Sequence, residues 1–251
     1  MKSLFALTAL LLAMTPAHAL SDRELDSIGK RVWQNECAGT REGLTSWNTG
    51  EAFASLGIGH FIWYPKGERG PFEESFPELL RFFSANGVKV PSWLAASAVC
   101  PWNTRAEFLA AAHGERMNEL RDLLAGSVRV QSRFLAQRMQ AALPKLLAAV
   151  PAGRREAIHG RFDALLATGA GTYALMDYVN FKGEGTKPEE RYHGEGWGML
   201  QVLETMQGES ARAFGEAAAN VLARRVKNAP PERHEERWLK GWQSRVRAYG
   251  E

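Results

Sequence analysis

The stretch WQNECAGTREGLTSWNTGEAFASLGIGHFIWY, residues 33–64, decides how the chain is read. Its first residues continue a helical pattern set by Leu25, Ile28 and Val32, spaced three and four apart. Ser21 followed by Glu24 three residues on is a capping box that starts this helix, and Gly39 is a natural stop. Glu36 therefore stands near the helix end. Thr49-Gly50 then reads as the turn of a β-hairpin, with a second strand from Ala52 to His60.

Outward from this stretch, the pattern is mostly helical. Pro65 to Pro71 is a loop, and a helix is expected over 76–85. From Trp93 onward, helical segments follow one another, with Thr104 and Glu107 as a second capping box. Pro151 and Pro230-Pro231 stand where helices restart. Residues 178–198, YVNFKGEGTKPEERYHGEGWG, are dense in Gly and Glu and lack helical spacing. A loop this long inside a compact domain is usually functional, so it is expected to lie over a groove.

The chain has 251 residues, 31 Lys and Arg against 28 Asp and Glu, and a formal charge of +3. Lys2, the apolar run from Leu4 to Met14 and Ala17-His18-Ala19 read as a cleavable leader over 1–19. Its removal leaves 232 residues at +2, expected to be periplasmic or secreted, monomeric and without stable membrane insertion. No basic run of the kind that tracks nucleic acid is present. In an oxidising compartment the only cysteine pair, Cys37 and Cys100, is expected to form a disulfide. Neither has a second Cys or a His at zinc-ligand spacing. With no phosphate-binding glycine loop either, no metal or organic cofactor is implied.

A carboxylic acid facing a polar hairpin across a groove is the minimum apparatus for cutting a glycosidic bond. Glu36 extends the apolar face of Val32 and Trp33, and the negative end of the helix lies beside it. Both features predict a carboxyl that keeps its proton, as a general acid requires; the plain alternative is a solvated glutamate. If the hairpin strand is regular, Glu51, Phe53 and Ser55 share one face. Glu51 is then a candidate base and Ser55 a holder of water. Trp63 is a candidate for stacking on a sugar, or else core. In the later loop, Glu184 in Lys182-Gly183-Glu184-Gly185 is a rival acid. Tyr178, Asn180, Lys182, Tyr192 and Glu195 are candidates for gripping substrate.

The segment from Glu36 to His60 resembles the phage-type lysozymes, whose motif runs from a helix-end Glu through a hairpin to T-x-G-x-G-H. Here Ser55, Gly57, Gly59 and His60 fill the matching positions. The resemblance implies a mainly α (α+β), two-lobed lysozyme-like fold with one small hairpin. It would form one domain over 20–251, with a hairpin lobe at about 40–75 and a helical lobe at about 76–251. It implies cleavage of a β-1,4-linked amino-sugar polymer such as peptidoglycan, with Glu36 as general acid and His60 architectural. Those lysozymes carry an Asp where this chain has Asn48, which leaves Asn48 a binding residue and favours Glu51 as the second carboxyl. The spacing of Glu51 and Ser55 is similar to chitosanases of the same superfamily. Glu184 with Gly198-Met199-Leu200-Gln201 resembles the E-S-G and G-L-M-Q motifs of lytic transglycosylases. A catalytically silent glycan-binding protein is the remaining alternative.

Overall fold

A computed structural model describes residues 20–251 apart from Pro71; the expected leader at 1–19 lies outside the described residues. The fold is mainly α, with eleven α-helices and two small antiparallel sheets among the described residues. Helix α1 (Asp22–Cys37) begins as its sequence predicts. The Ser21 hydroxyl accepts from the Glu24 amide, and Glu24 accepts from the Ser21 amide in return. It ends with Ala38 in the left-handed region and Gly39 beyond it.

The expected two-stranded hairpin is a three-stranded sheet, β1 (Thr45–Ser46), β2 (Ala54–Leu56) and β3 (Phe61–Trp63). Thr45 opposes Leu56, and Leu56 opposes Phe61. The strand expected from Ala52 to His60 therefore stops at Leu56, and residues 57–60 form the turn into β3. Gly57 requires this turn, because its φ of +74° suits glycine. Gln131 pins it from below: its buried side-chain oxygen accepts from the Ile58 amide at 2.9 Å.

Helix α2 (Phe76–Ala85) packs on β3, and α3 (Ser92–Ala95), α4 (Arg105–Ala110) and α5 (Glu115–Gly126) follow it in the chain. Trp63 packs on Phe76, and Phe61 on Phe134 of α6 (Val128–Ala149). The long α6 lies against α1, α2, α7 (Ala152–Leu166) and α8 (Gly169–Lys182). Behind α8 stand α9 (Met199–Thr205), α10 (Ala211–Asn228) and α11 (Glu236–Arg247). Apolar side chains from Ile28 to Tyr249 form one continuous core, so the sheet and helical layers share their buried surface. No helix among the described residues is long and apolar enough to cross a membrane.

Two sequence expectations are corrected here. The first five residues of the presumed loop at 178–198 belong to α8, and β4 (Arg191–Tyr192) pairs with β5 (Glu195–Gly196). Helix α8 is apolar on nearly every side because it is buried on nearly every side, so it carries no helical stripe to read. The cysteines are also unbridged: both are buried free thiols. The Cys37 thiol donates to the Gly57 carbonyl at one end of β2, whereas Cys100 pairs with Pro65 just beyond β3 at the other. Strands rise about 3.3 Å per residue, which separates the two ends by more than the roughly 7 Å Cα span that a disulfide tolerates.

Candidate functional site

The end of α1 presents Glu36 to the turn at 57–60 and to α11. Its side chain is 14% exposed. One carboxylate oxygen accepts from Arg245 Nη2 at 2.5 Å, and the other lies 3.6 Å from His60 Nδ1. The expected apolar surround is thus replaced by two nitrogen-bearing partners. Arg245 also donates twice to the fully buried Asp177, at 2.8 Å each, and Asp177 accepts from the Tyr249 hydroxyl at 2.6 Å. Because Asp177 already compensates the guanidinium, Glu36 is not its sole counter-ion. Arg245 thus pairs with two carboxylates at once and fixes the orientation of both.

His60 lies beside Glu36 on the turn at 57–60. It is a non-glycine residue at φ +48°, a conformation that the turn imposes. Its Nε2 is buried without a hydrogen-bond partner among the described residues. The Asn180 side-chain amide donates to the Gly59 carbonyl at 3.0 Å and holds the turn against α8. Glu51 lies within electrostatic reach of His60. Burial raises the Glu51 carboxyl, while a 3.1 Å hydrogen bond from Asn48 and the charge of His60 pull it back. Trp47 fixes the Glu51 backbone by donating to its carbonyl at 2.7 Å.

Beyond His60 opens a cleft of about 330 Å³, lined in part by Asn180, Lys182, Glu184, Tyr192 and Arg138. Glu184 follows the C-terminus of α8, after Gly183 turns the chain at φ +81°. Its carboxylate accepts from Lys145 at 2.7 Å. The segment carrying Glu184 is tied to the start of α9 by hydrogen bonds. Gln201 donates to the Gly185 carbonyl and accepts from the Gly198 amide, both at 3.0 Å, and the Leu200 amide donates to the Glu184 carbonyl.

Other candidates fall elsewhere. Trp63 is completely buried in β3 and belongs to the core. Tyr178 is equally buried and donates to the Trp197 carbonyl. Glu195 is exposed on β5 beside Arg224 and does not line the cleft. Glu51 lies outside β2, so it shares no strand face with Ser55. Ser55 is buried opposite Ser46 and Ile62 and makes no hydrogen bond to Glu36 or Glu51. Asn48 is exposed and meets Glu51. Sequence reading misses Arg245, Asp177 and Arg138 and takes His60 as chiefly architectural. Only the unusual charge on buried α8 could have flagged Asp177. Among the described residues, no group of three or more His, Cys, Asp or Glu is placed to hold a metal ion.

In comparisons with known proteins, no protein-family profile, no curated protein and no solved structure matches this chain.

Proposed function

We propose that the protein is an exported glycoside hydrolase that cleaves a β-1,4-linked amino-sugar polymer, with peptidoglycan as the first substrate to test. The observation that carries this reading is that His60, which lines the cleft, lies 3.6 Å from Glu36 and acts electrostatically on Glu51, although neither carboxyl itself lines the cleft. Glu36 is the general acid, held in one orientation by Arg245. Glu51 is the base or the stabiliser of the cationic sugar. A carboxylate whose pKa burial has raised is the stronger proton acceptor once ionised. A retaining or an inverting outcome would follow from the separation that the two carboxyls adopt around bound glycan.

A second reading places the acid at Glu184, because that residue lines the same cleft and its backbone is laced to the segment around Gln201. On this reading the protein would act as a lytic transglycosylase. A zymogram with purified wild type, Glu36→Gln and Glu184→Gln against peptidoglycan and chitosan separates the readings. Loss of clearing in Glu36→Gln alone supports the first, and loss in Glu184→Gln alone the second. If wild type clears neither polymer, a glycan-binding protein takes their place.

A further inference from the structure

Two cations in the cleft have no carboxylate of their own. Arg138 projects from α6 and makes no hydrogen bond or ion pair among the described residues. The carboxylates whose charge reaches it are Glu73, Glu78 and Glu184. Each is engaged elsewhere: Glu184 with Lys145 at 2.7 Å, Glu73 with Lys187 at 3.6 Å and Glu78 with Arg81 at 3.9 Å. Lys182, the last residue of α8, is in the same position. The nearest carboxylates to act on it are Glu235 and Glu36. Glu235 is held by Arg225 and Arg233, and Glu36 by Arg245. The Lys182 ammonium site rests instead over the rings of Trp242, at 3.3 Å from the centroid, and Phe181, at 3.9 Å.

An unpaired cation inside a fold is costly, because burial removes its hydration and nothing replaces it. Burial pulls the Lys182 amine well below the usual lysine range, and Arg225 and Arg245 beside it add to the effect. Burial lowers Arg138 as well. Both groups line the same cleft, where an incoming anion would relieve whichever of them it meets. The cleft volume of about 330 Å³ lies within the range of about 300–1,000 Å³ usual for small-molecule sites.

We infer that Arg138 and Lys182 form a subsite for a free carboxylate carried by a sugar of the glycan strand, as on a muramic acid without its stem peptide, next to the Glu36 centre. The inference rests on reading the cleft as a glycan site, and it deepens that reading by naming an acidic glycan as the substrate class. It also disfavours chitosan, whose ammonium groups would meet Arg138 with no carboxylate of its own to offset it.

The test is a chemical-shift titration of the full mature protein with three probes: N-acetylmuramic acid, its methylamide and N-acetylglucosamine. A charge-assisted contact to the free acid should make it bind on the order of tenfold more tightly than either neutral sugar. Arg138→Gln, which removes no hydrogen bond, should abolish that preference, and Lys182→Met should reduce it. Equal affinity for all three probes in wild type, or no binding by any, overturns the subsite whatever the variants do. A preference that survives in both variants overturns the assignment to these residues. If the preference is present but no glycan is cleaved, the subsite stands and the hydrolase reading fails. If glycan is cleaved without any preference, only the subsite fails.

Discussion

Glu36 and Arg245 stand 209 positions apart in sequence and 2.5 Å apart in space. The contact joins the end of the first helix to the end of the last, and Asp177 of α8 completes it from beneath. Each partner is largely shielded from solvent, and Asp177 is fully buried. The acid of the proposed site is therefore held by a network that spans the fold.

Arg245→Gln should be strongly destabilising, because it leaves Asp177 as a buried carboxylate without its cation. Breaking one side of such a pair costs about 3–5 kcal/mol. Urea unfolding would show this as a lower midpoint at unchanged slope. Arg245→Lys should recover part of the loss, since a point charge cannot span Glu36 and both oxygens of Asp177 as a planar guanidinium does. A midpoint unchanged in both variants would remove the network from the account of stability.

Glu36→Gln keeps the shape of the side chain and removes the proton donor. Loss of general acid catalysis is typically worth about 10²- to 10⁴-fold, and glycan turnover should fall by that much with the circular dichroism spectrum unchanged. Glu184→Gln should cost clearly less. The comparison is made on turnover rates at saturating substrate, and a reversed order of the two losses transfers the acid to Glu184.

Glu235 predicts a specific acid limb. Burial alone would raise its carboxyl, but the hydrogen bonds and charge of Arg225, followed by Arg233 and Tyr192, outweigh burial and hold it at about 2. A depressed carboxyl contributes stability that is present above its unfolded pKa and lost as pH falls towards about 2. The linkage is worth on the order of 3 kcal/mol. Glu235→Gln should lower stability at neutral pH and flatten the fall between the ordinary carboxylate range and about 2. Denaturation midpoints across that range measure it, and parallel curves for variant and wild type would contradict it.

Glu51 should behave in the opposite sense. Burial raises its carboxyl, so the folded state holds the proton more tightly than the unfolded chain does. Its favourable contribution is present in acid and is lost as pH rises through the folded value. Glu51→Gln should therefore gain stability on wild type at neutral pH, with the gain shrinking as the solution is acidified. A difference that stays constant with pH would refute this assignment.

The two thiols should titrate as free cysteines. Denatured, unreduced protein should release two equivalents to a thiol reagent. The native protein should react slowly, because burial pushes both Cys37 and Cys100 up to about 12 and only the thiolate attacks. A count near zero would establish a bridge between two positions that lie at opposite ends of β2 and β3 here.

What could be read from sequence follows the range of each signal. Ser21 with Glu24, and the apolar spacing of Leu25, Ile28 and Val32, are local, and α1 forms where they place it. Helix α2 likewise occupies residues 76–85 as expected. Asn180 and Lys182 read as loop in the sequence because α8 is buried on almost every side and has no polar face to give it a period. The glycines at 57 and 59 marked a bend, yet nothing nearby revealed that Gln131 and Asn180 would hold it and turn His60 towards Glu36. Arg245 was beyond reach for the same reason. In its own segment it is one of several basic residues on an amphipathic helix, and only packing distinguishes it from Arg237 or Arg247.

The docking of α11 on α10 also fixes when the proposed site can exist. A ribosome delivers Glu36 early and Arg245 almost last, and domains tend to fold from the N-terminus as they emerge. Until the final helix has settled, Asp177 has no cation and the acid has no fixed direction. A nascent, clipped or half-translocated chain would thus carry every carboxyl of the cleft and still be unarmed. For a protein proposed to cleave glycan, this late closure would leave the site unoriented until the last helix is in place.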